Sequence, residues 1–347
     1  MPSLGSLMES EINEIPAVFA KILENLEQFQ PFEKVISSRR FNSVQILARG
    51  TSDNAAHFLK FLIETKIGLP VGLTSPSAVT IYQAQLKFKD TLVIAISQSG
   101  QSTDLLKFSQ AAQAGGAYLV AMTNANSSPL AVIADMHISL WAGKELAVAA
   151  TKSYAAELLC SLLLVKSWTS KEFSSSSKKL IVDAAQSLID NQKLVTEAVV
   201  KSERKNEIVF LGRGFSYPNA REFALKIQET CKVSVQGLSI ADYMHGPISA
   251  LTDQTQLFLI AQNDLDTEFL KDYLPKIRKQ NPRIFWIGSS TLALQNELVI
   301  AGANTGDEII NSIIDCIIGQ RYALEFARKN GLDPDQPTGL SKVTVTN

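Results

Sequence analysis

Residues 44–52 read VQILARGTS, and residues 208–216 read IVFLGRGFS. A chain that repeats an apolar run closing on Arg-Gly and a hydroxyl residue is built from two copies of one unit. The repeat continues. TLVIAIS at 91–97 has its counterpart in TQLFLIA at 255–261, and Tyr118-Leu-Val-Ala-Met has a looser one in Ile284-Phe-Trp-Ile-Gly. Each run is short and continuously apolar, as in a strand buried on both faces. Longer amphipathic runs separate them, and that alternation predicts βαβ units and a parallel sheet. The expected class is therefore α/β, with two tandem pseudo-symmetric domains, each a parallel sheet flanked by helices. The first is expected over 35–168 and the second over 203–332. A helical segment, 1–34, precedes them, with one helix from about Leu7 to Phe29. A polar hinge and a helix, 169–202, join them, and a tail, 333–347, follows the last helix.

A length of 347 residues, 46% of them hydrophobic, supports two cores. The formal net charge is −1 and no arginine cluster or basic stripe appears, which argues against a nucleic-acid partner. No apolar run approaches the ~20 residues of a membrane helix. The opening MPSLGSLMESEINE lacks the charged-then-apolar pattern of a signal peptide. The expected place is the cytoplasm, with no membrane partner. Cys160, Cys231 and Cys316 are isolated in apolar helical contexts and read as reduced core residues. His57, His137 and His245 are scattered, so no zinc-type spacing exists, and no metal or organic cofactor is expected.

The stretch TLVIAISQSGQSTD at 91–104 carries the first chemical signal. A buried strand ends in Ser97-Gln98-Ser99-Gly100-Gln101-Ser102, and an amphipathic run from Leu105 to Ala114 follows. Serine and threonine are good helix caps, which is the plain reading of one such residue. Three hydroxyls and a glycine delivered to a helix N-terminus also build an anion site from free N–H groups and O–H donors. Neither GxxxxGK[ST] nor GxGxxG occurs, so the expected guest is a small phosphate monoester and not a nucleotide. The second half carries Ala261-Gln262-Asn263 at this place, followed by Asp264 and Asp266, which repel phosphate. One anion site per chain is expected. Arg49-Gly50-Thr51-Ser52, after the preceding strand, lines the same crevice if ligands sit beyond the strands' carboxyl ends.

The second half offers different chemistry. Lys226 and Glu229 stand three apart in a helical run from about Tyr217, on one helix face. At this spacing a solvated ion pair is common. Tyr243-Met244-His245-Gly246-Pro247 places an imidazole where a helix cannot continue, on a loop.

In order, RGTS at 49–52, SQSGQS at 97–102, AVAATKS at 147–153, LGRGFSYPNA with ALKIQE at 211–229, MHGP at 244–247 and DQPTGLSKVTV at 335–345 cover nearly the whole chain. In this combination the chain resembles the sugar isomerase (SIS) family. Within it, the chain is similar to the isomerase half of the glutamine–fructose-6-phosphate aminotransferases. The resemblance implies two SIS domains. It implies phosphate contacts at Ser97, Gln98, Ser99 and Ser102, and sugar contacts at Ser52 and the backbone around Val148. It implies a proton-transfer carboxylate at Glu229 with Lys226 beside it, a ring-opening histidine at His245 and a Schiff-base lysine at Lys342. It also implies a homodimer in which His245 reaches the partner's site.

Departures from the family pattern shape the expected reaction. The chain opens MPSLGS, with no glutaminase domain ahead of the isomerase region, so it is not expected to draw ammonia from glutamine. Ala150 stands where the family has a serine, and Thr338 where it has an arginine. These changes fit a stand-alone relative that runs the chemistry toward ammonia release. The expected reaction turns glucosamine 6-phosphate into fructose 6-phosphate and ammonia. Another phosphosugar aldose–ketose isomerase, an ammonia-dependent synthase half and a fructosamine-phosphate deglycase stand as alternatives. A non-catalytic sugar-phosphate sensor is a further one, opposed by the presence of Glu229, His245 and Lys342.

Overall fold

The structure, a computed structural model, describes residues 3–170, 173–204, 206–262, 264–288, 291–337, 339–340 and 342. The chain divides into two compact units. One comprises residues 17–145 and 152–178 together with Lys342. The other comprises the described residues of 3–16, 146–151 and 179–340.

Short helices open the chain: α1 (Ser6–Asn13), α2 (Ile15–Glu24) and α3 (Gln30–Ser38). The single helix expected from Leu7 to Phe29 is thus broken. Pro16 lacks an N–H and disfavours helical geometry in the residue before it, so it starts a helix better than it continues one.

The first unit holds β1 (Ser43–Leu47), α4 (Thr51–Lys66), β2 (Val71–Leu73), α5 (Ser77–Thr80), β3 (Thr91–Ser97), α6 (Thr103–Ala114), β4 (Tyr118–Thr123), α7 (Pro129–Ile133), β5 (Met136–Ser139) and α8 (Lys152–Trp168). Its five strands run in the order β2-β1-β3-β4-β5, every pair parallel. All seven residues of β3 are buried, as its continuous apolar sequence requires of a central strand. Val93, Ala95, Phe108, Leu119 and Leu130 form one core on a face of this sheet.

Two helices, α9 (Ser175–Asp190) and α10 (Lys193–Lys201), stand where one was expected to end near Ser202, and from residue 179 onward the chain belongs to the second unit. It continues through β6 (Ile208–Gly212), α11 (Tyr217–Cys231), β7 (Val235–Ser239), α12 (Ile240–Met244), β8 (Gln256–Ala261), α13 (Asp264–Arg278), β9 (Arg283–Gly288), β10 (Leu298–Ile300) and α14 (Glu308–Lys329). The strand order is β10-β9-β8-β6-β7, again all parallel. Read from the other edge, it is the order of the first sheet. The sequence repeat is therefore a repeat of topology. Phe210, Phe258 and Phe285, on three neighbouring strands, stack with centroids 4.6 Å apart in each pair, against Tyr322 of α14. The three cysteines are free and buried. Among the described residues, no helix is long and apolar enough to cross a membrane.

Candidate active site

In the first unit, β3 ends at Ser97 and α6 starts at Thr103, two residues earlier than the apolar pattern suggested. Between them the loop folds on its own hydroxyls. Ser97 Oγ accepts the Gly100 N–H at 3.1 Å, and Ser99 Oγ accepts the Gln101 N–H at 3.3 Å. A serine oxygen that accepts a backbone N–H still has its own O–H to donate. Gly100 takes a positive φ of 61°, and a side chain there would meet Ser128 Oγ at 2.4 Å. Ser102 sits at the N-cap in extended geometry, yet its side chain makes no capping bond to its own helix. Its hydroxyl is thus not committed to a cap. Hydroxyl donors at the start of a twelve-residue helix favour an anion.

The turn after β1 supports this loop, since Leu47 and Ala95 are register partners on adjacent strands. Gly50 has φ 57° and leads into α4. Buried Ser52 donates to Glu157 Oε1 at 2.7 Å. Its proton is committed, so Ser52 is left to accept a hydrogen bond and is unsuited to donate to an anion. Arg49 Nε pairs with Asp104 Oδ2 at 3.0 Å, placing a half-exposed cation over a buried carboxylate in the first turn of α6.

Lys342 lies in the same unit and is not a solvated tail lysine. Its Nζ donates to Glu145 Oε2 at 2.8 Å. Buried Glu145 also accepts the Ser153 N–H at 3.1 Å and the Ser153 hydroxyl at 2.7 Å. Thr338, the replacement for the family arginine, lies outside the described residues.

In the second unit, α11 carries a charged ladder. Lys226 Nζ lies 2.6 Å from Glu229 Oε2 and 3.3 Å from Glu222 Oε1. The Lys226 and Glu222 side chains are fully buried, and the Glu229 side chain is 21% exposed. Burial works against the ammonium, but the two flanking carboxylates outweigh it and hold the lysine pKa above its ordinary value. This is no solvated helix pair. Sequence reasoning took Lys226 and Glu229 and missed Glu222, although its spacing of four from Lys226 was a readable signal.

Val148 and Ala150 belong to this second unit, within 146–151. Glu11 of α1 accepts the Leu146 and Ala147 N–H groups, the latter at 3.2 Å, and Gln320 of α14 donates to Thr151 O at 3.0 Å. His245 ends α12, with its N–H on Asp242 O at 3.1 Å and its side chain exposed. Among the sequence-selected residues, Ser52, Ser97, Gln98, Ser99, Ser102 and Lys342 thus lie in the first unit. Val148, Lys226, Glu229 and His245 lie in the second.

The second unit holds one more buried acid that the sequence gave no reason to single out. Asp315 of α14 accepts the Ala303 N–H at 2.6 Å and Gln262 Nε2 at 2.5 Å. Burial pushes its pKa up to about 7 despite those two donors. Among the described residues, no group of three His, Cys, Asp or Glu side chains is arranged to hold a metal ion.

Comparison with known proteins accounts for this architecture. The SIS domain family matches residues 39–167 and 202–313, one match on each sheet. Glutamine–fructose-6-phosphate aminotransferase of Sulfurisphaera tokodaii is 31% identical over 98% of this chain and 56% of its own length. That of Gloeobacter violaceus is 29% identical over 97% and 58%. The chain thus spans little more than half the length of these curated relatives. Among solved structures, a proposed phosphosugar isomerase from Silicibacter pomeroyi DSS-3 has TM-score 0.82 at 28% identity, covering 94% of this chain and 99% of that one. The C-terminal domain of glucosamine-fructose-6-phosphate aminotransferase from Francisella tularensis has TM-score 0.84 at 21% identity, covering 95% and 98%. Glucosamine-6-phosphate deaminase from Thermotoga maritima has TM-score 0.77 at 19% identity, covering 98% and 100%. With both sheets matched and the strand order duplicated, the chain belongs to the SIS domain family.

Proposed function

We propose that the chain is a phosphosugar isomerase that deaminates glucosamine 6-phosphate to fructose 6-phosphate and ammonia. The observation that carries the reading is the α11 ladder: a buried ammonium held between two carboxylates, of which Glu229 alone reaches the surface. Aldose–ketose chemistry needs one carboxylate to move a proton between C2 and C1, with a fixed cation to balance the charge. The aminosugar part of the reading rests on similarity to the glutamine–fructose-6-phosphate aminotransferases. The Thermotoga maritima deaminase, matched over its whole length, favours the direction of ammonia release.

In this mechanism the Ser97–Ser102 loop grips the phosphate and Ser52 accepts from a sugar hydroxyl. His245 moves a proton from the anomeric hydroxyl to the ring oxygen, as suits imidazole near neutral pH, and the ring opens to the aldehyde. Glu229 removes the C2 proton as the C1 oxygen takes one up, giving an enolamine, and returns it to C1 as the amino nitrogen gives up a proton. The resulting C2 ketimine takes up water and loses ammonia, leaving the C2 ketone. Lys226 balances the charge that develops on the C1 oxygen. Lys342 acts on the keto carbon only after its pair with Glu145 opens and it gives up a proton.

The test is to incubate purified protein with glucosamine 6-phosphate, without glutamine, and to assay ammonia and fructose 6-phosphate together. Equimolar products are expected. Absence of ammonia from both the gluco and the galacto aminosugar phosphates would overturn the deaminase assignment. The Silicibacter pomeroyi likeness favours a second reading, aldose–ketose isomerisation without loss of nitrogen, and ketose formation from an unaminated sugar phosphate would establish it.

The proposal extends to a cytoplasmic homodimer in which exposed His245 serves the partner's phosphate loop. Mixing Ser99→Asp with His245→Asn protein tests this. Shared sites leave one wild-type site in each mixed dimer, so activity partly returns. Continued inactivity despite proven subunit exchange would refute sharing.

A further inference from the structure

The anion loop is fastened from below by side chains that belong to no motif. Two backbone bonds join the loop after β3 to the turn after β4: Asn124 N–H to Gln98 O at 3.1 Å, and Leu130 N–H to Gly100 O at 3.1 Å. Beneath Gly100 lies Ser128, whose Oγ accepts the Ala131 N–H at 3.3 Å. Ser128 Oγ is 3.2 Å from Thr123 Oγ1, and Thr123 Oγ1 is 2.9 Å from His137 Nε2 of β5.

Either hydroxyl can donate in the Ser128–Thr123 contact, and the His137 ring donates or accepts according to its tautomer. Thr123 donates its O–H to Ala125 O at 3.0 Å. With that proton on Ala125 O and the ring in its Nε2–H tautomer, the Thr123 oxygen accepts from both Ser128 O–H and His137 Nε2–H, and both lone pairs are filled. Thr123 is fully buried and Ser128 nearly so, which makes a broken link costly and the geometry fixed. Gly100 packs directly on this pair, with Ser128 Oγ occupying the space of its absent Cβ and Thr123 Cγ2 3.2 Å from the same point. A shift of Ser128 would move the turn at Gly100, and with it the Ser97 and Ser99 hydroxyls that bracket the turn.

We propose that His137, acting through Thr123 and Ser128, is a positioning residue for the phosphate loop and sets its affinity for the phosphosugar. The inference rests on reading Ser97–Ser102 as the anion site. Burial, opposed by a hydrogen bond to the Thr123 backbone, holds the imidazole pKa below its ordinary value, so a neutral ring is favoured and its role is geometric. A neutral amide donor can replace it.

The experiment measures Kd for glucosamine 6-phosphate by calorimetry, together with kcat and Tm, in His137→Leu, His137→Gln and Thr123→Val proteins. Removing one link is expected to weaken binding about three- to tenfold, the range of one neutral hydrogen bond. Turnover at saturation should stay within twofold, and His137→Gln should restore most of the affinity. Amide exchange at Gly100 and Gln101 should quicken in the Leu and Val variants. A fall in Tm with unchanged Kd and unchanged exchange would reduce the cluster to structural packing and overturn the proposal. The double change Ser97→Ala with Ser99→Ala separates the two readings. If it weakens binding while Thr123→Val does not, only the positioning role falls. If it too leaves Kd unchanged, the anion loop itself falls, and the positioning role with it.

Discussion

The carboxyl ends of β3 and β8 hold the same place in two copies of one topology, and they solve opposite problems. After β3 the chain leaves serine hydroxyls around a glycine turn at the start of α6. After β8, Gln262 turns its amide onto Asp315, a carboxylate from the unit's own α14, which also takes the Ala303 N–H. The neighbouring Arg213 lies 3.4 Å from the centre of the Phe269 ring, and Ile240, Leu259 and Leu270 line the small apolar cavity beside it. An acid of the chain itself satisfies donors in the second copy from inside the fold. The duplicated frame thus fixes where a ligand could sit, and a few side chains at the strand ends decide whether one does.

The largest expected effect separates grip from chemistry. Glu229→Gln keeps the shape of the α11 ladder and removes its proton acceptor. Turnover should fall about a thousandfold, within the range of general acid–base contributions, while KM moves little. Steady-state kinetics read the split directly. A near-normal kcat would show that another base carries the transfer.

The comparison also shows what the sequence could and could not tell. The two-sheet plan was legible because VQILARGTS and IVFLGRGFS mark equivalent strands, and continuous apolar runs mark buried ones; the order of the strands was not, and comes from the structure alone. The hydroxyl loop was legible because its residues are consecutive. Glu157, Glu145 and Asp315 were not, because each meets its partner only through tertiary folding. Asp315 finds Gln262 across 53 residues and Lys342 finds Glu145 across 197. A lone acid in an apolar helix signals burial but does not name its partner. The leading helix, expected as one from about Leu7 to Phe29, is broken because Pro16 starts a new helix instead of continuing the first.

Asp315→Asn sharpens the comparison from the second copy. The folded pKa of Asp315 is raised from 3.8 to about 7, so the native state holds its proton more tightly than the unfolded chain. Wild-type stability from this group is therefore greatest at low pH. It falls as pH rises from about 4 to about 7, and the whole cost remains above that. At 1.36 kcal/mol per unit the cost is at most about 4 kcal/mol. The asparagine variant should unfold at higher temperature than wild type at pH 8, with the gap closing toward pH 5. An unchanged difference between those pH values would remove Asp315 as the titrating group. Because this site lies outside the phosphate loop, KM should not move.

Ser97→Ala with Ser99→Ala tests the first copy. Each hydrogen bond to a charged group contributes about 1.5–3 kcal/mol, so KM for a phosphosugar should rise at least tenfold, with kcat largely kept. The loop also loses two internal acceptors for the Gly100 and Gln101 N–H groups. A sugar without its phosphate serves as the control, because only phosphate-dependent affinity should be lost. Equal losses with and without the phosphate would mean that the variant had only deformed the loop.

The smallest effect concerns the charges that frame the same helix end. Asp104 lies in the first turn of α6, where a carboxylate is favoured by the helix dipole but would compete with the phosphate proposed to bind there. Arg49 covers it at 3.0 Å, and the arginine side chain is 48% exposed, so solvent screens much of the pair. Arg49→Met should therefore raise KM only about two- to fivefold, in line with the modest strength of exposed ion pairs. The direction follows from uncovering a negative charge beside the anion loop, and the effect should shrink in high salt. Adding Asp104→Asn removes that charge while its side-chain oxygen still accepts the Leu105 N–H. The double variant should recover wild-type KM, although Arg49 is still absent. If KM stays raised, the arginine touches the phosphate itself and Asp104 serves only to aim it. If neither change moves KM, the pair belongs to the packing of the α6 N-terminus and contributes nothing to the contrast between the two copies.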